Sequence, residues 1–197
     1  MTDCQRLLEL AKQNHGIVTT AMAVDAGIAR GTLKYLSDTG VLEKSARGVY
    51  TLPDAWGDEF VNIQSRFKRG VFSLETALFL CGLTDRRPDR FHMTFPATYN
   101  LSGPKRESIL CRALKEPLYS LGITDLQTPG GCTVRGYCAE RSLCDVLLPR
   151  SHTDVQIIAE AYRKYISRRD RNIPLLSAYA HKLRVEEKLR AYLEVLL

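Results

Sequence analysis

Nowhere in the 197 residues does an apolar run approach the roughly 18 residues that a membrane-crossing helix needs. With 45% hydrophobic and 25% charged residues, the chain has the make-up of a globular protein, and no membrane span is expected. The opening stretch MTDCQRLLELAKQNHG lacks a basic stub followed by an uninterrupted apolar segment, so it does not read as a signal peptide and a cytoplasmic protein is expected. Cysteines are present (Cys4, Cys81, Cys111, Cys132, Cys138 and Cys144), but C-x2-C pairs are not: the close ones run C-x5-C-x5-C. Structural zinc sites favour tighter pairs, so reduced and mostly buried thiols are expected, in keeping with a reducing compartment.

The usual marks of catalysis are missing too. His15, His92, His152 and His181 form no H-x-x-x-H pair, and neither a G-x-x-x-x-G-K-[ST] nor a G-x-G-x-x-G phosphate loop occurs. Ser142 lies near Glu140 and Asp145 without a histidine at helical spacing. Glu75, Glu140 and Asp145 lack the strand-borne acid followed by Glu-x-Lys that nuclease chemistry would need. These residues are assigned structural or capping roles, and the expectation is no enzyme activity, no metal and no cofactor. No solenoid-period repeat and no low-complexity segment interrupts the chain.

The residues that are there describe a helix-turn-helix near the start. Leu7, Leu8, Leu10 and Ala11 follow the capping residues Thr2 and Asp3, and Gly16 marks the stop, which predicts a first amphipathic helix. A short second helix is predicted from Thr19-Thr20 to Gly27. After a Gly27-Ile28 turn comes a third, Arg30 to Thr39, with Leu33 and Leu36 at core spacing. Val41–Lys44 and Gly48–Leu52 then read as strands joined by Ser45-Ala46-Arg47, a hairpin or wing. Pro53, Asp54 and Gly57 suggest a boundary, so a winged helix-turn-helix domain is expected over 1–57 and a larger domain over 58–197.

The remainder reads as α+β. Ser73 can cap a helix through Leu80, with a capping-box-like signal at Glu75 if the cap falls one residue earlier. Phe91–Phe95 alternates as a strand, and a polar loop follows Pro96. Ile123–Leu126 and Cys132–Tyr137 flank Thr128-Pro129-Gly130-Gly131 as a second hairpin. From Glu140 the chain is helical: Glu140–Leu148, Asp154–Arg169, Ile173–Leu183 and Glu186–Leu197, with Pro174 where a first helical turn tolerates it.

A helix fits the major groove of duplex DNA while a wing reaches the neighbouring backbone or minor groove. With Leu33 and Leu36 facing inward, Arg30, Lys34 and Tyr35 point out, and Thr32 lies near the helix start; these are the recognition candidates, joined by Thr19 and Thr20 at the second helix. Lys34, Lys44 and Arg47 are suited to phosphates, which fix register without reading sequence. Charge abundance does not decide the matter. The chain carries a net +6, yet residues 1–57 hold six basic and six acidic side chains, so the excess lies beyond them. Past residue 150 nine basic side chains outnumber six acidic ones. Arg163, Lys164, Arg168, Arg169, Arg171, Lys182 and Arg184 form a candidate basic surface there, weighed against an ordinary solvated helix face.

The stretch GIVTTAMAVDAGIARGTLKYLSDTGVLEKSARGVY, residues 16–50, resembles the N-terminal winged helix of the AbiEi antitoxin family, with its Gly-Ile/Leu turn, Arg-x-Thr-Leu helix and Arg-Gly-Val-Tyr wing end. FSLETALFLCGLTD, FHMTFP, YCAERSLCDV and the segment from Ala161 onward resemble, in order and spacing, that family's C-terminal antitoxin domain. Two departures stand out. Ala29 replaces the serine that often caps the recognition helix, and Cys138-Ala139 replaces a common Asp-containing turn. The resemblance implies a type IV toxin–antitoxin role: autorepression through inverted repeats in double-stranded operator DNA, and a C-terminal domain that counters a nucleotidyltransferase-like toxin without a stable complex. The alternatives are a nucleic-acid-processing enzyme with a winged-helix targeting domain, and a protein-interaction module whose basic face docks an acidic partner.

Overall fold

Thr2 sets the first helix. Its side chain accepts from Gln5 N while the Gln5 side chain accepts from Thr2 N, a capping box that satisfies two otherwise orphaned donors. The computed structural model describes residues 1–55 and 57–196, the side chains of residues 195 and 196 excepted. The chain folds as α+β in two compact units. Unit 1 comprises Met1–Lys68 together with Gln127–Val134, and unit 2 comprises Arg69–Leu126 with Arg135–Leu197. The end of the expected last helix, Leu197, lies outside the described residues.

Unit 1 runs α1 (Asp3–Gln13), β1 (Ile17–Thr19), α2 (Thr20–Asp25), α3 (Arg30–Asp38), β2 (Glu43–Ala46), β3 (Val49–Thr51) and α4 (Glu59–Arg66). The strands form an antiparallel sheet in the order β1-β3-β2, with a bulge between Lys44 and Ala46. Leu7, Ala11, Val18, Ala23, Ile28, Leu33, Leu36 and Leu42 make one core under the three helices. Arg6 donates to Ala26 O at 2.7 Å and so ties α1 to the turn between α2 and α3.

Two expectations shift here. The first strand of the hairpin begins at Glu43, not Val41, because the amides of Val41 and Leu42 both bond Leu36 O and close the end of α3, with Leu42 buried at 1% exposure. Neither the helical reading nor the hairpin reading anticipated β1, which Ile17 and Val18 hold against Tyr50 and Thr51. The boundary also moves. The compact units divide at Lys68 and draw in the tip between the later strands, where a division at 57/58 was expected. The reason is packing: Val61 of α4 sits against Ile17, Val49 and Cys132. Asp58 caps α4 through Phe60 N and Val61 N while accepting a short hydrogen bond from the Thr128 hydroxyl.

Unit 2 holds β4 (Val71–Phe72), α5 (Leu74–Leu80), β5 (His92–Pro96), α6 (Ser102–Arg106) and β6 (Leu110–Leu114). Then come β7 (Ile123–Gln127) and β8 (Thr133–Tyr137), whose joining tip belongs to unit 1, and the helices α7 (Ala139–Val146), α8 (Val155–Ile166), α9 (Ile173–Leu183) and α10 (Glu186–Leu196). The sheet order is β6-β5-β4-β8-β7, with β5 parallel to β6 and antiparallel to β4. α7 packs against α5, α8 and α9 and buries six consecutive residues, Arg141–Val146, so it is the central helix of the unit.

The helix from Ser73 forms as expected, but without the capping box. The Ser73 hydroxyl is buried and instead accepts from Thr94 Oγ1 at 3.0 Å. The loop after Pro96 contains the short α6, and β4 and β6 were not foreseen. All six cysteines are free; Cys132 and Cys144 are buried and the other four half-buried, fewer buried thiols than expected. Among the described residues no helix is long and apolar enough to cross a membrane.

Candidate nucleic-acid interface

Arg30, Lys34 and Tyr35 stand on the solvent side of α3, whose opposite side buries Leu33 and Leu36 at 1% and 4% exposure. The helical period produces this split: residues at 30, 34 and 35 fall away from the 33/36 stripe. Tyr35 is 59% exposed. Thr32 is half-buried, and its amide bonds Ala29 O in the first turn. Lys44 on β2 and Arg47 in the hairpin turn are both exposed. Unit 1 therefore presents Arg30, Lys34, Tyr35, Lys44 and Arg47 to solvent from one helix and one hairpin.

Thr19 and Thr20 serve the scaffold first. Thr19 Oγ1 accepts from Met22 N at 3.2 Å and caps α2, while Thr20 Oγ1 donates to Gly48 O at 3.3 Å, which fixes the hairpin to the start of α2. A Cβ on Gly48, whose φ is +79°, would come within 3.1 Å of that same hydroxyl. The glycine of the Arg-Gly-Val-Tyr motif thus sets where Arg47 can reach.

Ala29 occupies the N-cap of α3 and offers no side-chain hydrogen bond. Its backbone is already extended, φ −64° and ψ 139°, as a capping residue requires. Ala29→Ser should therefore stabilise unit 1 by about 1 kcal/mol. Urea unfolding of the full chain checks this, and an unchanged or lowered midpoint would count against a pre-formed cap geometry.

The candidate basic surface of unit 2 divides into parts with different jobs. Lys164 pairs with Asp85 at 2.6 Å and Glu160 at 3.2 Å, and the hydrogen bond to Asp85 holds its ammonium above the usual lysine range. Glu160 in turn is held below the usual carboxylate range, chiefly by the Asp85 amide. Arg168 donates a short hydrogen bond to Cys81 O, and Arg171 donates to Arg168 O at 2.9 Å. Arg163 and Arg169 are exposed. Lys182 and Arg184 lie apart from these, on a cleft of about 1010 Å³ that Arg90, Arg112 and Arg150 also line.

That cleft assembles side chains far apart in the chain, which motif spacing had no means to join. His92 and His152 both line it, with Glu75 and Asp89. Burial, then the charges of Asp154 and Asp89, push the Glu75 carboxyl up. Burial, then the Arg90 charge, pull His92 down to about 4, so its ring is neutral at physiological pH. The other residues considered for catalysis are engaged in the scaffold: Glu140 accepts from Tyr165, Ser142 donates to Tyr137 O, and Asp145 pairs with Arg141 and Arg112. Among the described residues no group of three or more His, Cys, Asp or Glu is placed to hold a metal ion.

Residues 5–53 match the model of the family described as "Transcriptional regulator, AbiEi antitoxin". The motif-bearing stretch 16–50 falls inside that match, while the segments of unit 2 that resemble the antitoxin domain lie outside it. No curated protein matches significantly. Among solved structures, the chain is similar to the crystal structure of the RV2827C protein from Mycobacterium tuberculosis. The likeness has a TM-score of 0.53 at 16% identity over 92% of this chain and 72% of that one, and it concerns the fold.

Proposed function

We propose that unit 1 is a winged helix-turn-helix that binds operator DNA, with α3 in the major groove and the β2–β3 hairpin as the wing, and that the protein represses its own operon. The observation that carries this reading is the order α1-β1-α2-α3-β2-β3 with Arg30, Lys34 and Tyr35 exposed opposite the buried Leu33 and Leu36. The family match over the same residues supports it. Arg30 is placed to read a guanine edge, and Lys34, Lys44 and Arg47 to hold phosphates.

Gel-shift titration of the full chain on the DNA upstream of its own gene tests the proposal. Arg30→Ala should cost roughly 1–3 kcal/mol, a 5- to 150-fold loss, and only on the cognate sequence. Lys44→Ala and Arg47→Ala should weaken every sequence alike and each lower the salt slope by about 0.9. Unchanged affinity for both Arg30→Ala and Lys34→Ala would place the recognition helix elsewhere.

The same proposal gives unit 2 the second activity, countering a nucleotidyltransferase-like toxin without forming a stable complex. What supports it is the resemblance of the unit 2 segments in order and spacing, together with a positive excess that lies outside residues 1–57. The Arg30→Ala, Lys34→Ala full-length protein should still rescue cells that express the toxin. Loss of rescue with loss of DNA binding would assign both activities to unit 1.

A further inference from the structure

The cleft of unit 2 has a composition that the DNA reading leaves unused. Its lining takes Arg150 from the loop after α7, and Lys182 and Arg184 from the end of α9. Among the described residues these three make no hydrogen bond or ion pair through their side chains. Arg112, by contrast, is held by Asp145, and Arg90 donates to Ser108 O. Cations at a helix C-terminus partly answer the helix dipole, which accounts for Lys182 and Arg184 but not for Arg150, four residues past the end of α7.

Other lining residues are polar in another way. Glu75 and Asp89 bring acceptors, and His92 brings a ring whose Nδ1 is buried with no hydrogen-bond partner. A buried polar atom left unpaired is costly and rare, and this one belongs to a side chain that lines the cleft. Much of the remaining lining is apolar, from Leu74, Leu110, Leu114, Leu118, Leu148 and Leu183. The volume, about 1010 Å³, lies at the upper end of small-molecule sites.

Unpaired cations, hydrogen-bonding groups and apolar side chains on one cleft match the parts of a nucleotide: its phosphate, the polar edge of its base and the base's apolar faces. We propose that this cleft binds a nucleoside phosphate, free or as the terminal unit of a single strand, with Arg150, Lys182 and Arg184 on the phosphate and Glu75 and His92 on the polar edge of the base. The lining residues belong to unit 2 and the proposed DNA-reading helix to unit 1, so each proposal has its own variants.

Isothermal titration calorimetry of the full chain tests it with the four ribonucleoside 5′-monophosphates, the corresponding nucleosides, inorganic phosphate and a short oligoribonucleotide. At least one nucleotide should bind saturably, more tightly than its nucleoside and than phosphate. Tighter binding of the oligonucleotide would identify a strand end as the source, and equal or weaker binding a free nucleotide. The Arg150→Ala, Lys182→Ala, Arg184→Ala variant, shown folded by its circular dichroism melt, should lose roughly tenfold or more in affinity. Glu75→Gln should change the preference among bases while leaving phosphate dependence in place. The Arg30→Ala, Lys34→Ala variant should bind as the parent does. The proposal is overturned by the absence of saturable binding at millimolar nucleotide, by phosphate binding as well as any nucleotide, by undiminished affinity in the triple variant, or by loss of binding in the unit 1 variant.

Discussion

Asp145→Ala should lower the urea midpoint of unfolding further than any other single substitution considered for this protein. Asp145 and Arg141 are both fully buried on α7, their side chains 3.0 Å apart. Arg112 approaches the other carboxylate oxygen at 3.0 Å from β6, with 27% of its side chain exposed. Arg141 also donates to Leu118 O and Leu121 O and lies 4.5 Å over the Tyr137 ring. One guanidinium thus holds α7, the loop before β7 and the end of β8 at a single point. Gly122 makes the approach possible, since a Cβ there would come within 2.8 Å of Arg141 Cβ. Replacing such a pair as a whole by apolar groups is often neutral, but removing one partner leaves a charge buried without compensation and costs roughly 3–5 kcal/mol. That is a large share of the roughly 5–15 kcal/mol that holds a typical protein folded. Arg112→Ala, which leaves the Arg141–Asp145 contact intact, should cost clearly less. A loss under about 1 kcal/mol in Asp145→Ala would show that the network does not bear on stability.

Asp58→Ala should do comparable harm in unit 1. One carboxylate oxygen accepts from Phe60 N at 2.9 Å and Val61 N at 3.3 Å, the N-cap of α4. The other accepts from the Thr128 hydroxyl, which itself accepts from Cys132 N at 3.0 Å. Loss of a cap costs roughly 0.5–2 kcal/mol, and a buried hydroxyl donor left without an acceptor roughly 1–3 kcal/mol more. A total of about 2–4 kcal/mol is expected, with Asp58→Asn milder because the cap survives. A double-mutant cycle with Thr128→Val separates the two terms, since the coupling belongs to the hydroxyl contact alone. Additive effects of the two substitutions would remove Asp58 from its role in holding residues 127–134.

The elements with strong local signals were legible in the sequence. α1, α2 and α3 begin at the capping residues and glycines that mark them, and the three long helices α8, α9 and α10 follow their apolar period. β1 and β4 have three and two residues, too few for alternation to register. β6 is fixed by hydrogen bonding to β5 beside it, and its LCRAL sequence does not alternate. The segment after Pro96 reads as a polar loop, although it contains α6 with Pro104 buried in it. On α3, Arg30, Lys34 and Tyr35 are exposed as the Leu33/Leu36 stripe requires. The basic residues after 150 were legible as a group but not by job, because whether a lysine meets Asp85 or lines a cleft depends on chain segments many residues away. The same holds for His92 and His152, sixty positions apart and brought to one cavity by tertiary contacts.

The discontinuity of unit 1 bears on the order in which the protein is made. Domains fold as units during synthesis, N-terminal first. Here α1 to α4 emerge early, but Ile17, Val49 and Val61 meet their partner Cys132, and Asp58 meets Thr128, only once residues 127–134 have followed. The helix proposed to face DNA is therefore translated in the first fifth of the chain, yet its scaffold closes after two-thirds of it. A nascent or prematurely terminated product would carry α3 on an unfinished support, which ties the completed fold of unit 1 to a ribosome that has already made about half of unit 2.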